Sequence, residues 1–178
     1  MASSTYKAVV FGSTGATGRE IVKELAASAM CERVIAITRR EVAATDWVRG
    51  EGKDAEAAKI QVQVVNFDNL ASSLKPSEES GDCWRLAEQL AGGECAKVCF
   101  YTLGSTRREA GSAEEFKRID LGYLEGATKI CKEAGVSHFS LVSSVGASAS
   151  SFFLYPQVKG MGEEAVKVAG FDRVSVWR

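Results

Sequence analysis

Short apolar runs alternate with amphipathic segments along most of this chain. The runs have the length and the Val, Ile and Phe content of strands, and they lie at residues 7–11, 33–38, 60–65, 97–102, 138–142 and 173–177. Apolar side chains recur at helical spacing after the first run and over residues 113–134 and 155–169. Strands that alternate with helical crossovers form parallel sheets with helices on both faces. The pattern therefore predicts an α/β fold with a doubly wound parallel sheet in three α/β/α layers.

Composition narrows the class of protein. The chain has 178 residues, of which 46% are hydrophobic and 25% charged, so we expect one globular domain over residues 1–178. A formal net charge of −1 gives no basic surface for direct nucleic-acid binding. No apolar stretch predicts a transmembrane segment, and residues 1–5 lack the order of a signal peptide. We expect an intracellular protein in the cytoplasm, with the nucleus as a second location.

Several segments carry no predicted chemistry. The five cysteines have irregular spacings that favour reduced, mostly buried thiols over disulfides or a metal site. Residues 47–59 and 75–82 are typical of surface excursions, and a short helical run follows at residues 83–90. Because Arg178 comes directly after a predicted buried strand, we expect that the sequence is truncated at its C-terminal end.

A glycine-rich turn joins the first strand to the first helix. Its sequence is Gly12, Ser13, Thr14, Gly15, Ala16, Thr17 and Gly18. Three glycines allow a sharp reversal, a close approach of backbone to a pyrophosphate, and tight packing of helix on strand. The unpaired amides of the first helical turn would then face the anion. The spacing GxxGxxG differs from the common fingerprint, so a plain turn is the alternative.

Polar residues follow the second and third strands. Arg39 and Arg40 stand where an enzyme that prefers NAD usually has an acidic residue for the adenosine ribose. Guanidinium groups bind phosphate oxygens through forked hydrogen bonds, so the pair predicts NADPH as the cofactor. A solvated surface pair is the alternative. Asn66 and Asp68 follow the third strand and are expected to flank the adenine on position alone, with Phe67 between them also at the coenzyme.

Tyr155 and Lys159 form a second candidate constellation. Four residues apart on a helix, they lie on one face, and the ammonium favours the phenolate, which makes Tyr155 a usable general acid or base. Lys159 is also placed to bind the nicotinamide ribose. Ser143 and Ser144 end the fifth strand, where a hydroxyl can hold a carbonyl oxygen during hydride transfer. The alternative is that the serines form a turn and Tyr155 only begins a helix.

These motifs resemble the atypical short-chain dehydrogenases/reductases, in the family of oxidoreductases named for interaction with the HIV Tat protein. The resemblance covers nearly the whole chain and implies an NADPH-binding Rossmann domain. It also implies Tyr155, Lys159 and either Ser144 or Ser143 as the catalytic set, with Leu103 and Gly104 at the coenzyme. The segments that carry it are GSTGATG at 12–18, LGSTR at 103–107, FKRID at 116–120, FLY at 153–155, QVKG at 157–160 and FDR at 171–173.

Three departures from the family leave the function open. Asp120 stands where the broader superfamily often carries the asparagine of a proton relay, and residues 76–93 form a longer excursion than usual. The resemblance also implies a C-terminal substrate-binding part after Arg178, which we expect to be missing from this sequence. The first hypothesis is an NADPH-dependent reductase of a small carbonyl compound. The second is an NADPH-bound regulatory or scaffold protein with protein partners in nuclear transport or transcription, and the third is an isomerase or lyase.

Two further features have no assigned catalytic role, namely an arginine pair and the single histidine. Arg107 and Arg108 follow the fourth strand and either bind phosphate or an acidic substrate or form an exposed basic pair. His138 is the only histidine, and we interpret it as structural.

Overall fold

The structure, a computed structural model, describes residues 5–48, 50, 52–70 and 95–178. These residues form six strands and six α-helices. The strands are β1 (Tyr6–Phe11), β2 (Cys31–Thr38), β3 (Ile60–Val64), β4 (Ala96–Tyr101), β5 (His138–Val142) and β6 (Arg173–Trp177). The helices are α1 (Ala16–Ala27), α2 (Asp54–Ala57), α3 (Arg107–Ala110), α4 (Ala113–Lys117), α5 (Tyr123–Glu133) and α6 (Leu154–Val168). A π-helical turn, Arg118–Gly122, joins α4 to α5, and short 3-10 helices occupy Ala44–Asp46 and Phe67–Asn69.

The six strands form one parallel sheet in the order β3-β2-β1-β4-β5-β6. Val9 of β1 is paired with Ile35 of β2 on one side and Cys99 of β4 on the other. The strand order reverses between β1 and β4, and ligands of such sheets bind at the carboxyl ends of the strands beside this point. The predicted doubly wound sheet is confirmed.

The sheet separates two apolar cores. Ala8 and Val10 pack with Val22 and Leu25 of α1 on one face. Val9 and Phe11 pack on the opposite face with residues of α5 and α6, among them Leu124, Ile130 and Val166. Because both faces are buried, β1 and β2 are apolar along nearly their whole length. The result is a rigid sheet whose carboxyl edge carries the candidate site.

The excursions and cysteines differ in part from expectation. The predicted surface excursion at residues 47–59 is wrong at its start, because Trp47 and Val48 are buried in the α1-side core. Cys31, Cys99 and Cys131 are buried and free, as predicted, and Cys95 is half-buried. Cys83, the excursions at 75–82 and 76–93 and the helical run at 83–90 lie outside the described residues. Over the described ranges, no helix has the length and apolar character to cross a membrane.

Candidate functional site

The glycine turn is fixed by contacts that only glycine permits. Gly12 has φ +82°, and a Cβ at this position would lie 2.6 Å from Thr102 Oγ1. A Cβ at Gly18 would lie 2.1 Å from the Gly12 carbonyl oxygen. The Gly15 amide donates to that same oxygen at 3.0 Å. The turn is therefore wound tightly against α1 and the end of β4, and side chains at Gly12 and Gly18 would open it.

Three side chains hold this turn from behind. Ser13 is fully buried, and its Oγ donates to the Ile37 carbonyl at 2.8 Å. The Trp47 indole nitrogen donates to the Ser13 carbonyl at 2.8 Å. Thr102 Oγ1 donates to the Phe11 carbonyl at 2.9 Å. Both the side chain and the carbonyl of Ser13 are thus engaged within the protein and anchor the turn. Sequence reasoning did not find Trp47, since an isolated tryptophan in a polar segment carries no local signal for this contact.

The exposed side of the turn suits an anion. Gly15 is the N-cap residue of α1, and no side chain caps the helix there. The first amides of a helix have no partner within it and attract negative charge. Thr14, Ala16 and Thr17 are exposed around these amides. The residues present therefore fit a dinucleotide pyrophosphate, with backbone amides as the donors.

Two adjoining grooves of about 570 and 390 Å³ border the ends of β2, β3 and β4. Arg39 and Phe67 line both of them, Asn66 lines the first, and Leu103 and Gly104 line the second. The Asn66 side chain accepts from the Asp68 amide at 3.0 Å. Five predicted coenzyme residues therefore meet along one surface. Arg40 is exposed and lines neither of these two grooves.

Arg118 brings an additional cation to the first groove. Its Nε donates to Glu115 at 2.9 Å, and its guanidinium also pairs with Asp68. The Tyr123 hydroxyl donates to Asp68 at 2.5 Å. The hydrogen bond from Tyr123, followed by the one from Arg118, holds the pKa of Asp68 below its usual value. Helix α4, the π-helical turn and α5 form one continuous helical segment at residues 113–133, the central helix. Sequence reasoning missed Arg118, because only the packing of this central helix brings it beside the end of β3.

Tyr155 and Lys159 meet on the first turns of α6. The Lys159 ammonium nitrogen lies 5.8 Å from the centroid of the Tyr155 ring. The ring also stacks on the buried Phe116 of α4, with centroids 5.8 Å apart. Tyr155 remains 42% exposed, so its phenol is accessible while its ring is held from one side. This juxtaposition is the one that the YxxxK spacing predicts.

The two serines that end β5 have different surroundings. Ser143 Oγ donates to Glu163 at 2.7 Å, and Glu163 also accepts from Arg178 Nε at 3.0 Å. These hydrogen bonds, that of Arg178 first, keep the pKa of the Glu163 carboxyl below its usual value. Ser144 Oγ is buried and has no hydrogen-bond partner among the described residues. The hydroxyl of Ser144 is therefore unpaired among the described residues, whereas that of Ser143 is bound to Glu163.

Gly160 allows the serine-bearing loop to approach α6. A Cβ at Gly160 would lie 2.2 Å from the Ala149 amide nitrogen and from the Ser148 carbonyl carbon. The Ser148 amide donates to the Pro156 carbonyl at 2.9 Å. Backbone packing thus fixes the loop at residues 143–151 beside the first turns of α6. Sequence reasoning missed the packing role of Gly160, although a glycine directly after Lys159 within a helix was a usable signal for a close contact.

Asp120 lies behind Lys159. Its side chain has 0% exposure, and one carboxylate oxygen is 2.6 Å from the Lys159 ammonium nitrogen. The other oxygen accepts from the Ser105 amide at 2.9 Å and the Ser105 hydroxyl at 2.6 Å. A charged residue in the apolar row between Phe116 and Leu124 was the sequence signal for this buried pair.

A separate apolar cavity of about 440 Å³ lies on the α1 side of the sheet. Ile21, Phe100, Val142 and Trp177 give it an apolar wall, and it is also bordered by Thr17, Thr102, Ser140, Ser143 and Arg178. Because the exposed surface of this wall is mostly apolar, the cavity suits phosphate less well than the uncapped amides at the start of α1.

Sequence comparison places these features among known proteins. The chain is 33% identical to Protein HTATIP2 of Rattus norvegicus over 169 residues, which are 95% of the chain and 60% of that protein. It is 38% identical over 172 residues to the mitochondrial Protein FMP52-1 of Scheffersomyces stipitis, covering 96% of the chain and 65% of that protein. The chain is a homologue of HTATIP2 and FMP52. The resemblance to the atypical short-chain dehydrogenases/reductases of this family is confirmed.

The comparisons also bear on length and fold. The chain spans 60–65% of HTATIP2 and FMP52-1, and no protein-family model matches it. The Bordetella bronchiseptica enzyme WbmG in complex with NAD has the same fold, with a TM-score of 0.65 at 11% identity over 96% of this chain and 52% of that one. ChuY, an anaerobillin reductase of Escherichia coli, superposes with a TM-score of 0.61 at 17% identity over 94% of this chain and 70% of that one. The Rossmann fold is thereby confirmed.

The expected location is wrong. The HTATIP2/FMP52 relatives from Candida albicans, Scheffersomyces stipitis and Debaryomyces hansenii are named as mitochondrial proteins, which contradicts the cytoplasm and nucleus. The prediction was wrong because residues 1–5 carry no information that distinguishes one intracellular compartment from another.

Two arginines follow the carboxyl end of β4, whereas the histidine begins β5 at the opposite edge of the sheet. Arg107 and Arg108 are exposed on α3, whose start is a capping box formed by Thr106 and Glu109. His138 Nε2 lies 2.9 Å from Ser175 Oγ on β6. Burial lowers the pKa of His138, so the neutral ring is favoured between β5 and β6. These contacts agree with the structural interpretation of His138.

Proposed function

We propose that this HTATIP2/FMP52 homologue binds NADPH and reduces a small carbonyl compound. The observation that carries the proposal is the arrangement along one edge of the sheet. Uncapped amides at the start of α1 lie after β1, and the Tyr155 and Lys159 pair with the free Ser144 hydroxyl follows β5. An anion site and a proton donor at the same strand ends are what a reductase of this fold requires.

The coenzyme would be held mostly by backbone and by the two grooves. The amides at the start of α1 would bind the pyrophosphate, and the grooves bordered by Asn66, Phe67, Leu103 and Gly104 would receive the adenosine side. Arg39, which lines both grooves, would pair with a 2′-phosphate and so favour NADPH over NADH. NAD-bound structures of the same fold, including that of WbmG, support a nicotinamide dinucleotide in general.

The side chains after β5 and on α6 would manage the carbonyl oxygen. Bound NADPH supplies the hydride. The Ser144 hydroxyl would donate a hydrogen bond to the oxygen and so stabilise the negative charge that develops there. Tyr155 would donate its phenolic proton to that oxygen, and Lys159, 5.8 Å from the ring centroid, would stabilise the phenolate that remains. Ser143 would stay bound to Glu163 and orient the loop.

The test is NADPH oxidation by the protein across a panel of small aldehydes and ketones. We expect turnover that Tyr155→Phe lowers at least about 100-fold, because general acid catalysis contributes about 10²–10⁴-fold. Tyr6→Phe on β1 is the matched control and should retain activity. NADPH binding without turnover, unaffected by Tyr155→Phe, would contradict catalysis and favour the regulatory hypothesis.

We also propose that residues 1–178 form a single dinucleotide-binding domain. The chain spans less than two thirds of its curated relatives, so substrate selection is assigned to no residue here. Limited proteolysis with NADPH should protect one compact fragment. Two separately stable fragments would contradict a single domain.

We propose a mitochondrial location, based on the names of the fungal FMP52 relatives. A tagged full-length protein should co-sediment with mitochondrial markers on cell fractionation. Recovery with nuclear or cytosolic markers alone would overturn this assignment.

A further inference from the structure

Asp120 is a carboxylate in an otherwise apolar row. Phe116, Asp120 and Leu124 follow one another at four-residue intervals along the central helix, and all three are buried. Asp120 lies within the π-helical turn Arg118–Gly122, a local geometry that is often found at functional sites. A buried carboxylate is costly unless it is paired and hydrogen-bonded. Its partners therefore indicate what it does.

Those partners come from two other segments of the site. Lys159 on α6 is 2.6 Å from one carboxylate oxygen, and both the amide and the hydroxyl of Ser105 donate to the other. The Lys159 side chain is only 11% exposed, so the pair is shielded from water. Lys159 cannot swing toward solvent without leaving a buried carboxylate unpaired, which is strongly unfavourable.

The loop that carries Ser105 also lines the candidate coenzyme groove. Leu103, Gly104 and Ser105 form part of the wall of the second groove. A Cβ at Gly104 would lie 3.0 Å from the Lys159 ammonium nitrogen, so the loop passes close to this cation. A single carboxylate thus fixes the Lys159 ammonium and the groove wall in relation to each other.

We propose that Asp120 is a positioning residue that holds Lys159 toward the coenzyme and ties the Leu103–Ser105 wall to it. This inference rests on the proposed function, because it gives Lys159 a coenzyme to contact. Asp120 itself would touch neither coenzyme nor substrate.

The test is a double-mutant cycle on NADPH affinity, measured by quenching of tryptophan fluorescence. Asp120→Asn keeps the shape of the side chain and removes its charge. Because interacting residues have non-additive effects, we expect Asp120→Asn to weaken NADPH binding about tenfold in the parent protein and less than about twofold in Lys159→Met. Asp172→Asn, at an exposed aspartate before β6, is the matched control and should leave affinity unchanged.

The outcomes separate this inference from the proposed function. An unchanged affinity for Asp120→Asn, or equal losses in both backgrounds, would overturn the positioning role. A parent protein that binds neither NADPH nor NADH would overturn the proposed function instead.

If urea unfolding shows that Asp120→Asn does not fold, Ser105→Ala replaces it, because this variant keeps the ion pair and removes one hydrogen bond. We expect Ser105→Ala to lower affinity about twofold to threefold in the parent only, and an equal loss in Lys159→Met would overturn the inference.

Discussion

The glycine turn and the Ser144, Tyr155 and Lys159 cluster are built in different ways. The turn offers backbone amides, and its shape depends on glycines at which a Cβ would meet backbone or the end of β4. The cluster offers side chains from two segments, and buried carboxylates at Asp120 and Glu163 hold their neighbours. One site is formed by a continuous stretch of chain. The other exists only where the loop after β5, the central helix and α6 meet.

Because of this difference, the two sites should respond to different kinds of substitution. Backbone donors keep their positions as long as the local turn is intact, so changes elsewhere should affect them little. Side-chain groups depend on packing partners distant in sequence, so substitutions that touch no ligand should disturb them.

The largest effects should come from two helical glycines that are sterically alike. In Gly18→Ala the new Cβ would lie 2.1 Å from the Gly12 oxygen, and in Gly160→Ala it would lie 2.2 Å from the Ser148–Ala149 peptide. Each should destabilise the protein by about 3 kcal/mol, because backbone must move to admit the methyl group. Urea unfolding measures this, and coenzyme titration should show that only Gly18→Ala loses NADPH binding.

Gly122→Ala is the control for this pair. Nothing lies within 4 Å of a Cβ at Gly122, so alanine should be neutral or stabilise the helix by up to about 1 kcal/mol. Loss of NADPH binding in Gly160→Ala to the same extent as in Gly18→Ala would break the distinction between the two sites.

Glu163→Gln should have an intermediate effect that depends on pH. The hydrogen bonds of Arg178 and Ser143 lower the pKa of Glu163 in the folded state. Its contribution to stability is therefore present above the unfolded-state carboxyl pKa and is lost as pH falls through the lower folded-state value. We expect Glu163→Gln to lower the free energy of unfolding by about 2 kcal/mol at pH 7, since the side chain is only 3% exposed.

The pH dependence provides the internal check on this prediction. Urea unfolding of the parent protein and Glu163→Gln should show a difference that shrinks as pH falls below about 4. The exposed Glu164→Gln is the matched control and should change stability by less than about 0.5 kcal/mol. A difference that stays constant from pH 7 to pH 3 would assign the effect to packing rather than to the carboxylate charge.

The smallest effect concerns coenzyme choice. We expect NADPH to bind at least about tenfold more tightly than NADH, or about 1.4 kcal/mol, and the double variant Arg39→Ala/Arg40→Ala to erase the difference. Arg39→Ala alone should remove most of it, because Arg39 lines both grooves and Arg40 lines neither. Fluorescence titration measures both affinities. Equal affinities for NADPH and NADH in the parent protein would contradict a role of the arginines in coenzyme choice.

Sequence reasoning located the fold and part of the site. The strands β5 and β6 have the predicted bounds, and the others agree within two residues, because strands buried on both faces are continuous apolar runs. Helix α6 also agrees, beginning one residue before its predicted start at Tyr155. The π-helical turn at Arg118–Gly122 was not predicted, since an extra residue in a helical turn leaves no clear trace in the apolar spacing.

The partners of the site residues could not be predicted. Trp47 and Ser13 are 34 residues apart in sequence, and Asp120 and Ser105 are 15 apart. Ser143 and Ser144 are equivalent in the sequence, and only the folded chain brings Glu163 beside Ser143. Such contacts depend on which helix face meets which strand end, and nothing local to either residue encodes that.

Local sequence was sufficient to predict the order of strands and helices, the tight glycine turn and the Tyr155–Lys159 spacing. These features arise from local chemistry, namely apolar periodicity, the conformational freedom of glycine and the helical repeat. Contacts between distant segments were needed to show which serine has an unpaired hydroxyl, which arginine borders the grooves and which carboxylate holds Lys159. Each of these depends on the burial and pairing of charges, which exist only once distant segments have packed together.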